Sequence, residues 1–213
     1  DTQITLDQAL EHLRQIVATV AVPVNADFEG GFAIDPAQVA ANVKLAVATG
    51  IAGLSIEDST GDASHPLHDF ELAVARIKAA RQAIDETGRG ALLTGRSEGF
   101  ICGRPDIAET IRRLQAYAEA GADCLYAPGI HKREDIAAVV AAVAPKPVNL
   151  LINTTFITVA EAADLGVRRI SVGGALARTA WAGFLHAAKE IADEGTFACF
   201  EGLPKVDAMF LGQ

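Results

Sequence analysis

Apolar positions recur along this chain in two alternating rhythms. Leu6, Leu10, Leu13, Val17 and Val20 fall at helical spacing behind Thr5 and Gln8, a T-x-x-Q capping box, and the stripe ends before Pro23. A short apolar run follows, predicting a strand over Val22–Phe28. Asp35 and Pro36 then read as N-cap and first helical residue, and a helix carrying Val39, Val43 and Ala46 stops at Gly50. The next strand is expected at Ile51–Glu57, and a helix with Phe70, Val74, Ile77 and Ile84 on one face comes after a polar loop, Ser59–Asp69.

The unit keeps repeating. Strands are predicted at Ala91–Arg96, Ala122–Ala127, Pro147–Ile152 and Arg168–Val172. Between them lie helices capped by Asp106 with Glu109, spanning Glu134–Ala144, and capped by Thr158 with Glu161. The last, Ala177–Asp193, holds Trp181, Phe184, Leu185, Ala188 and Ile191, spacing that reads as packing. Strand starts stand roughly 20 to 40 residues apart, the length of a βαβ unit. The strands read as short apolar runs without polar alternation, as in a parallel sheet buried on both faces.

Alternation of this kind leaves an open doubly wound sheet or a closed (β/α)8 TIM-type barrel. No GxGxxG or GxxxxGK[ST] follows any strand, which counts against the nucleotide-binding versions of the open sheet and favours the barrel. Six strands are found where a full barrel has eight, so the reading expects the first two βα units to be missing from this chain. Residues 1–213 are expected to form a single barrel domain, with 195–213 as a C-terminal tail. That tail holds Phe200, Met209, Phe210 and Leu211 with little to bury them, which points to docking on a neighbouring subunit.

Composition narrows the picture further. Half of the 213 residues are apolar, enough for one large core. The net charge of -9 and the lack of a basic stripe argue against nucleic acid. No apolar run is long enough for a membrane span, and no signal-peptide pattern opens the chain. Cys102, Cys124 and Cys199 form no metal spacing and are odd in number, so a reduced, cytoplasmic protein is expected.

In a parallel barrel, chemistry gathers at the carboxyl ends of the strands. Those ends carry Asp27 and Glu29, then Glu57 and Asp58, then Arg96 and Glu98, then Tyr126, then Asn149 and Asn153, then Gly173 and Gly174. Carboxylates clustered on two adjacent strands suit Mg²⁺, which takes oxygen ligands and keeps several waters. Such an ion, chelated by a 2-oxo acid, would stabilise a developing enolate. Arg96 would bind an acid group of the substrate with its planar fork. Asp58 reads as an orienting group and Glu98 as an anchor for Arg96. His65 and His68, on the long loop, stand equally as exposed lid residues and as acids in catalysis. Asn149 and Gly173 are candidates for substrate contact. His131 reads equally as a helix cap.

The combination of A-D-F-E-G-G-F after one strand, G-L-S-I-E-D on the next and T-G-R-S-E on the third resembles the isocitrate lyase and phosphoenolpyruvate mutase superfamily. The resemblance runs from Thr5 to about Gly202 and is strongest over residues 22–100. It implies a (β/α)8 barrel, assembled as a homodimer or homotetramer with a swapped C-terminal helix, that makes or breaks C–C or P–C bonds beside a carbonyl with Mg²⁺. On it, Asp27 and Glu29 fall on the acids of the D-x-[DE]-x-G metal motif, Glu57 on a third metal-site acid and Arg96 on the substrate-binding arginine. The lyases' K-[KR]-C-G-H segment is replaced here by S-T-G-D-A-S-H-P-L-H-D, without cysteine or lysine, which speaks against isocitrate cleavage by that mechanism. The expected substrate is a small 2-oxo acid or phosphonate, in a phosphonomutase-like reaction. An oxaloacetate decarboxylase or another C–C lyase, and a non-catalytic metabolite-binding barrel, are the alternatives.

Overall fold

The computed structural model describes residues 4–206. Met209, Phe210 and Leu211 of the expected docking tail lie outside the described residues. By its internal contacts the chain divides into two compact units, residues 1–171 and 172–213.

The first unit alternates helix and strand as the periodicity predicts. Its elements are α1 (Leu6–Thr19), β1 (Asn25–Asp27), α2 (Pro36–Ala48), β2 (Gly53–Glu57), α3 (Phe70–Thr87), β3 (Leu92–Arg96), α4 (Ile107–Glu119), β4 (Cys124–Tyr126), α5 (Arg133–Val143), β5 (Val148–Leu151), α6 (Val159–Asp164) and β6 (Arg169–Ser171). Local chemistry sets the helix starts. Thr5 with Gln8 and Thr158 with Glu161 form complete capping boxes, and the Asp35 and Asp106 carboxylates accept from the amides of Gln38 and Glu109, each at 3.0 Å.

All six strands are parallel and lie in sequence order, β1 to β6. This is the topology of part of a (β/α)8 barrel. The sheet is curled. In a flat sheet three strand spacings of about 4.8 Å would separate β3 from β6, with side chains standing perpendicular to it. Yet Arg169 Nη1 on β6 donates to Thr94 Oγ1 on β3 at 3.2 Å.

One expectation is corrected here. The strands are not apolar on both faces but alternate. Leu54, Ile56, Leu93, Leu125, Val148 and Leu150 project to the face covered by helices, where Val39, Val43, Ile77, Ile84, Leu114, Ile136 and Val139 complete the core. The opposite face carries Asp27, Ser55, Glu57, Thr94, Arg96, Tyr126, Asn149, Arg169 and Ser171, several of them hydrogen-bonded across strands. Small residues such as Ser55 and Thr94, buried and satisfied, look apolar in a run scored by composition alone. The strands are also shorter than predicted, β1 beginning at Asn25 rather than Val22.

The second unit is built on α7 (Ala175–Glu194), which ends at Gly195 in the left-handed conformation, followed by a short 3₁₀ turn, Ala198–Phe200. Glu190 ties that turn back by accepting from the amides of Ala198 and Cys199. Trp181 and Phe184 meet edge to face at 5.4 Å, and both stay exposed with Leu176 and Leu185. No helix among the described residues is long and apolar enough to cross a membrane.

Candidate active site

Parallel register places three strand ends side by side, with Asp27 beside Ser55 and Glu57 beside Arg96. Arg96 is the hub. Its Nη1 donates to both carboxylate oxygens of Asp27 at 3.1 and 3.0 Å, its Nη2 lies 3.3 Å from Glu57 Oε2, and its Nε binds Glu98. The guanidinium also stands 5.3 Å from the centre of the Tyr126 ring. One cation thus serves three carboxylates, and the electrostatics record the imbalance. Burial, reinforced by Glu98, Asp27 and Glu29 and opposed by Arg96, lifts the Glu57 carboxyl to about 7. Burial also raises the Glu98 carboxyl, against the pull of Arg96. Burial alone would lower Arg96, but the bond to Glu98 and the surrounding negative charge carry it above its ordinary value.

These groups open on a cavity of about 530 Å³, lined by Asp27, Glu29, Glu57 and Arg96 and walled by Phe32, Thr60, His68 and Arg76. Glu29 is at the rim in a left-handed conformation, φ 48°, and its amide donates to Asp27 Oδ1 at 3.4 Å. Asp58 turns the other way. Buried behind the strand ends, it accepts from the Glu98 amide at 2.8 Å, from Tyr117 Oη at 2.6 Å and from Arg113 Nη1 at 3.2 Å.

Other candidates are placed elsewhere. His65 is at the tip of the long loop, its side chain 86% exposed and its Nδ1 3.1 Å from Ser64 Oγ, and it does not line the cavity. Asn149 is buried on β5 and donates to Ser171 Oγ at 2.9 Å, while its Oδ1 has no partner among the described residues. Gly173 belongs to the second unit, at φ 52°. His131 is exposed, its Nδ1 3.1 Å from the Gly129 carbonyl. Sequence reasoning did not anticipate Arg76 in the cavity wall. The available signal was a charged residue among Ala73, Ile77 and Ala80, on the face of α3 that is buried.

Among the described residues no three His, Cys, Asp or Glu side chains converge as a metal cage. Mg²⁺ does not require one, because it is commonly held by one or two carboxylates with waters and substrate. The donor set fits: all oxygen, the Asp27 side chain two-thirds exposed, and more negative charge than Arg96 balances.

The family model for phosphoenolpyruvate phosphomutase matches residues 1–192. The chain belongs to the phosphoenolpyruvate phosphomutase family. Within it, the chain is similar to an oxaloacetate decarboxylase of Bradyrhizobium diazoefficiens, 34% identical over 154 residues, 66% of this chain and 49% of that protein. The chain spans about half the length of the curated oxaloacetate decarboxylases it matches. A candidate lyase/mutase from Burkholderia cenocepacia J2315 superposes with a TM-score of 0.94 at 42% identity, covering 99% of this chain and 77% of that one. Phosphonopyruvate hydrolase, solved with oxalate and Mg²⁺, gives a TM-score of 0.83 at 27% identity, covering 98% of this chain and 75% of that one.

Proposed function

We propose that this family member is a Mg²⁺-dependent enzyme that makes or breaks a P–C or C–C bond beside the carbonyl of a small 2-oxo acid, through an enolate-like intermediate. One observation carries the reading: carboxylates from the ends of β1 and β2 and an arginine from the end of β3 meet in one cavity. Asp27, Glu29 and Glu57 would hold the ion together with water and substrate. When bound, Mg²⁺ supplies Lewis-acid stabilisation of the negative charge that develops on the carbonyl oxygen.

The chain's own residues do the rest. Arg96 is aimed by Glu98, which accepts from its Nε and from its Nη2 at 3.3 Å, so that the guanidinium edge carrying Nη1 faces the cavity side, where an acid group of the substrate would compete with Asp27 for it. Phe32 and Ala33 give the cavity an apolar wall, and Thr60 and His68 offer polar atoms on the loop side. Exposed Leu176, Trp181, Phe184 and Leu185 on α7 support assembly as a homodimer or homotetramer.

A specific observation favours oxaloacetate decarboxylation as the second reading. The cavity has two arginines and no lysine, Arg76 is committed to backbone carbonyls, and Arg96 already serves three acids. That is little positive charge for a phosphonyl group and enough for a carboxylate. The similarity to an oxaloacetate decarboxylase points the same way. The test is to incubate the full-length protein and Mg²⁺ with phosphonopyruvate, oxaloacetate and 2-methylisocitrate, beside a Glu57→Ala control. Phosphorus NMR showing migration or phosphate release supports P–C chemistry, and pyruvate from oxaloacetate alone supports decarboxylation. No turnover of any of the three with Mg²⁺ bound would leave another 2-oxo acid or a metabolite-binding barrel, and no Mg²⁺ binding at all would refute the site.

A further inference from the structure

Arg76 is 1% exposed, yet it has no carboxylate partner among the described residues. Its fork grips backbone instead. Nη1 donates to the Glu57 carbonyl at 3.1 Å, and Nη2 donates to the carbonyls of Gly30 and, at 3.1 Å, Ala33. One side chain on α3 therefore ties the segment after β1 to the last residue of β2.

The segment it holds is conformationally demanding. Glu29 and Phe32, neither of them glycine, adopt left-handed φ values of 48° and 56°. Five of the six carbonyls from Phe28 to Ala33 are engaged: Phe28 by the Gly31 amide, Glu29 by the Glu57 amide at 3.0 Å, Gly31 by Asn42 Nδ2 at 2.8 Å, and Gly30 and Ala33 by Arg76. Gly31 needs its φ of 73°, and at Gly30 a Cβ would lie 2.8 Å from Arg76 Nη2, so that any larger residue there must displace the guanidinium.

Resting on the functional reading above, we infer that Arg76 is a positioning residue for the metal site: by clamping the Gly30, Ala33 and Glu57 carbonyls it fixes where Glu29 and Glu57 stand relative to Asp27. A planar guanidinium reaches three carbonyls at once, which an ammonium or an amide in its place does not. Replacing residues that orient metal-binding groups without touching the metal typically weakens metal affinity about 10- to 100-fold.

The test uses the full-length protein with Arg76→Gln, Gly30→Ala and the pair combined, Gly30→Ala displacing the guanidinium while keeping its charge. Two quantities are read: deuterium exchange over residues 28–34 and at the Glu57 amide, and Mg²⁺ affinity by calorimetry. Each single variant is expected to retain native helix content, to exchange faster in that segment, and to bind Mg²⁺ about tenfold or more weakly. The double variant is expected to be no worse than the weaker single one, since both remove one clamp. Folded variants with native exchange, or with Mg²⁺ affinity unchanged while the native protein binds the ion, overturn the inference. If Arg76→Gln does not fold, Gly30→Ala decides. A native protein that binds no Mg²⁺ refutes the functional reading, and faster or unchanged exchange in the variants then upholds or overturns the clamp separately.

Discussion

Tyr117 Oη donates a 2.6 Å hydrogen bond to Asp58 Oδ2, joining α4 to the end of β2 across 59 positions of sequence. Both groups are buried, and Asp58 also accepts from the Glu98 amide, so the phenol stands two contacts behind the carboxylate that aims Arg96. Tyr117→Phe removes the donor and nothing else, leaving a buried carboxylate short of one partner. Asp58 Oδ2 keeps Arg113 Nη1 as a donor, so urea denaturation is expected to show a loss of ~1.5–3 kcal/mol, the range for one hydrogen bond to a charged group.

Arg96→Ala strips the cation from Asp27, Glu57 and Glu98 together. Glu98 has a side chain only 3% exposed, so it is left charged and buried without its partner. Breaking such a pair costs ~3–5 kcal/mol, and chemical denaturation should show a loss of that size together with loss of turnover. Arg96→Lys restores charge but not the fork, and should recover stability in part while activity stays low.

His68 gives a pH signature. Burial, helped by Arg76 and Arg113 and opposed by Asp58 and Asp69, holds its pKa below the ordinary 6.5. The folded protein therefore prefers the neutral ring. The stability this contributes is fully present above pH 6.5 and is lost as pH falls through the depressed value. Thermal melts from pH 7.5 downward should show a steeper decline for the native protein than for His68→Gln, which has no ring to charge.

Gly95, in the T-G-R-S-E stretch, is where α4 meets β3. A Cβ there would approach Tyr117 Cβ at 2.9 Å and Ala122 Cβ at 3.2 Å. Gly95→Ala is expected to destabilise by ~1–3 kcal/mol, the range for overpacking a tight contact, with the melting temperature as the measurement.

Features encoded locally were legible from the sequence. The Thr5 and Thr158 capping boxes and the Asp35 and Asp106 caps depend on residues three apart, and each forms. The ends of β1, β2 and β3 were legible because glycine, proline and charge punctuate the apolar runs. What depends on distant partners was not. Asp27, Glu57 and Arg96 were foreseeable at three adjacent strand ends, but not that Arg96 pairs directly with both carboxylates. His65 and His68, three apart on one loop, look alike in sequence; the turn at Asp62–His65 carries the first outward, while the Asp58 carbonyl, by accepting from the His68 amide, draws the second into the wall. Arg76 is hidden by arithmetic: a charged residue on a helix is ordinarily solvated, and only the three carbonyls waiting at its tip make burial tolerable.

The polar face of the sheet is unevenly endowed. At the strand ends, β1 to β3 contribute the titratable or charged groups Asp27, Glu57 and Arg96, while β4 to β6 contribute Tyr126, Asn149 and Ser171, with Arg169 as the one charged side chain that those three strands place on this face. The two halves are therefore separable in evolution. Exchanging a phenol, amide or hydroxyl on the later strands can retune which molecule is accepted without disturbing the charge balance on which the reaction would depend, so divergence among relatives should accumulate on that side first.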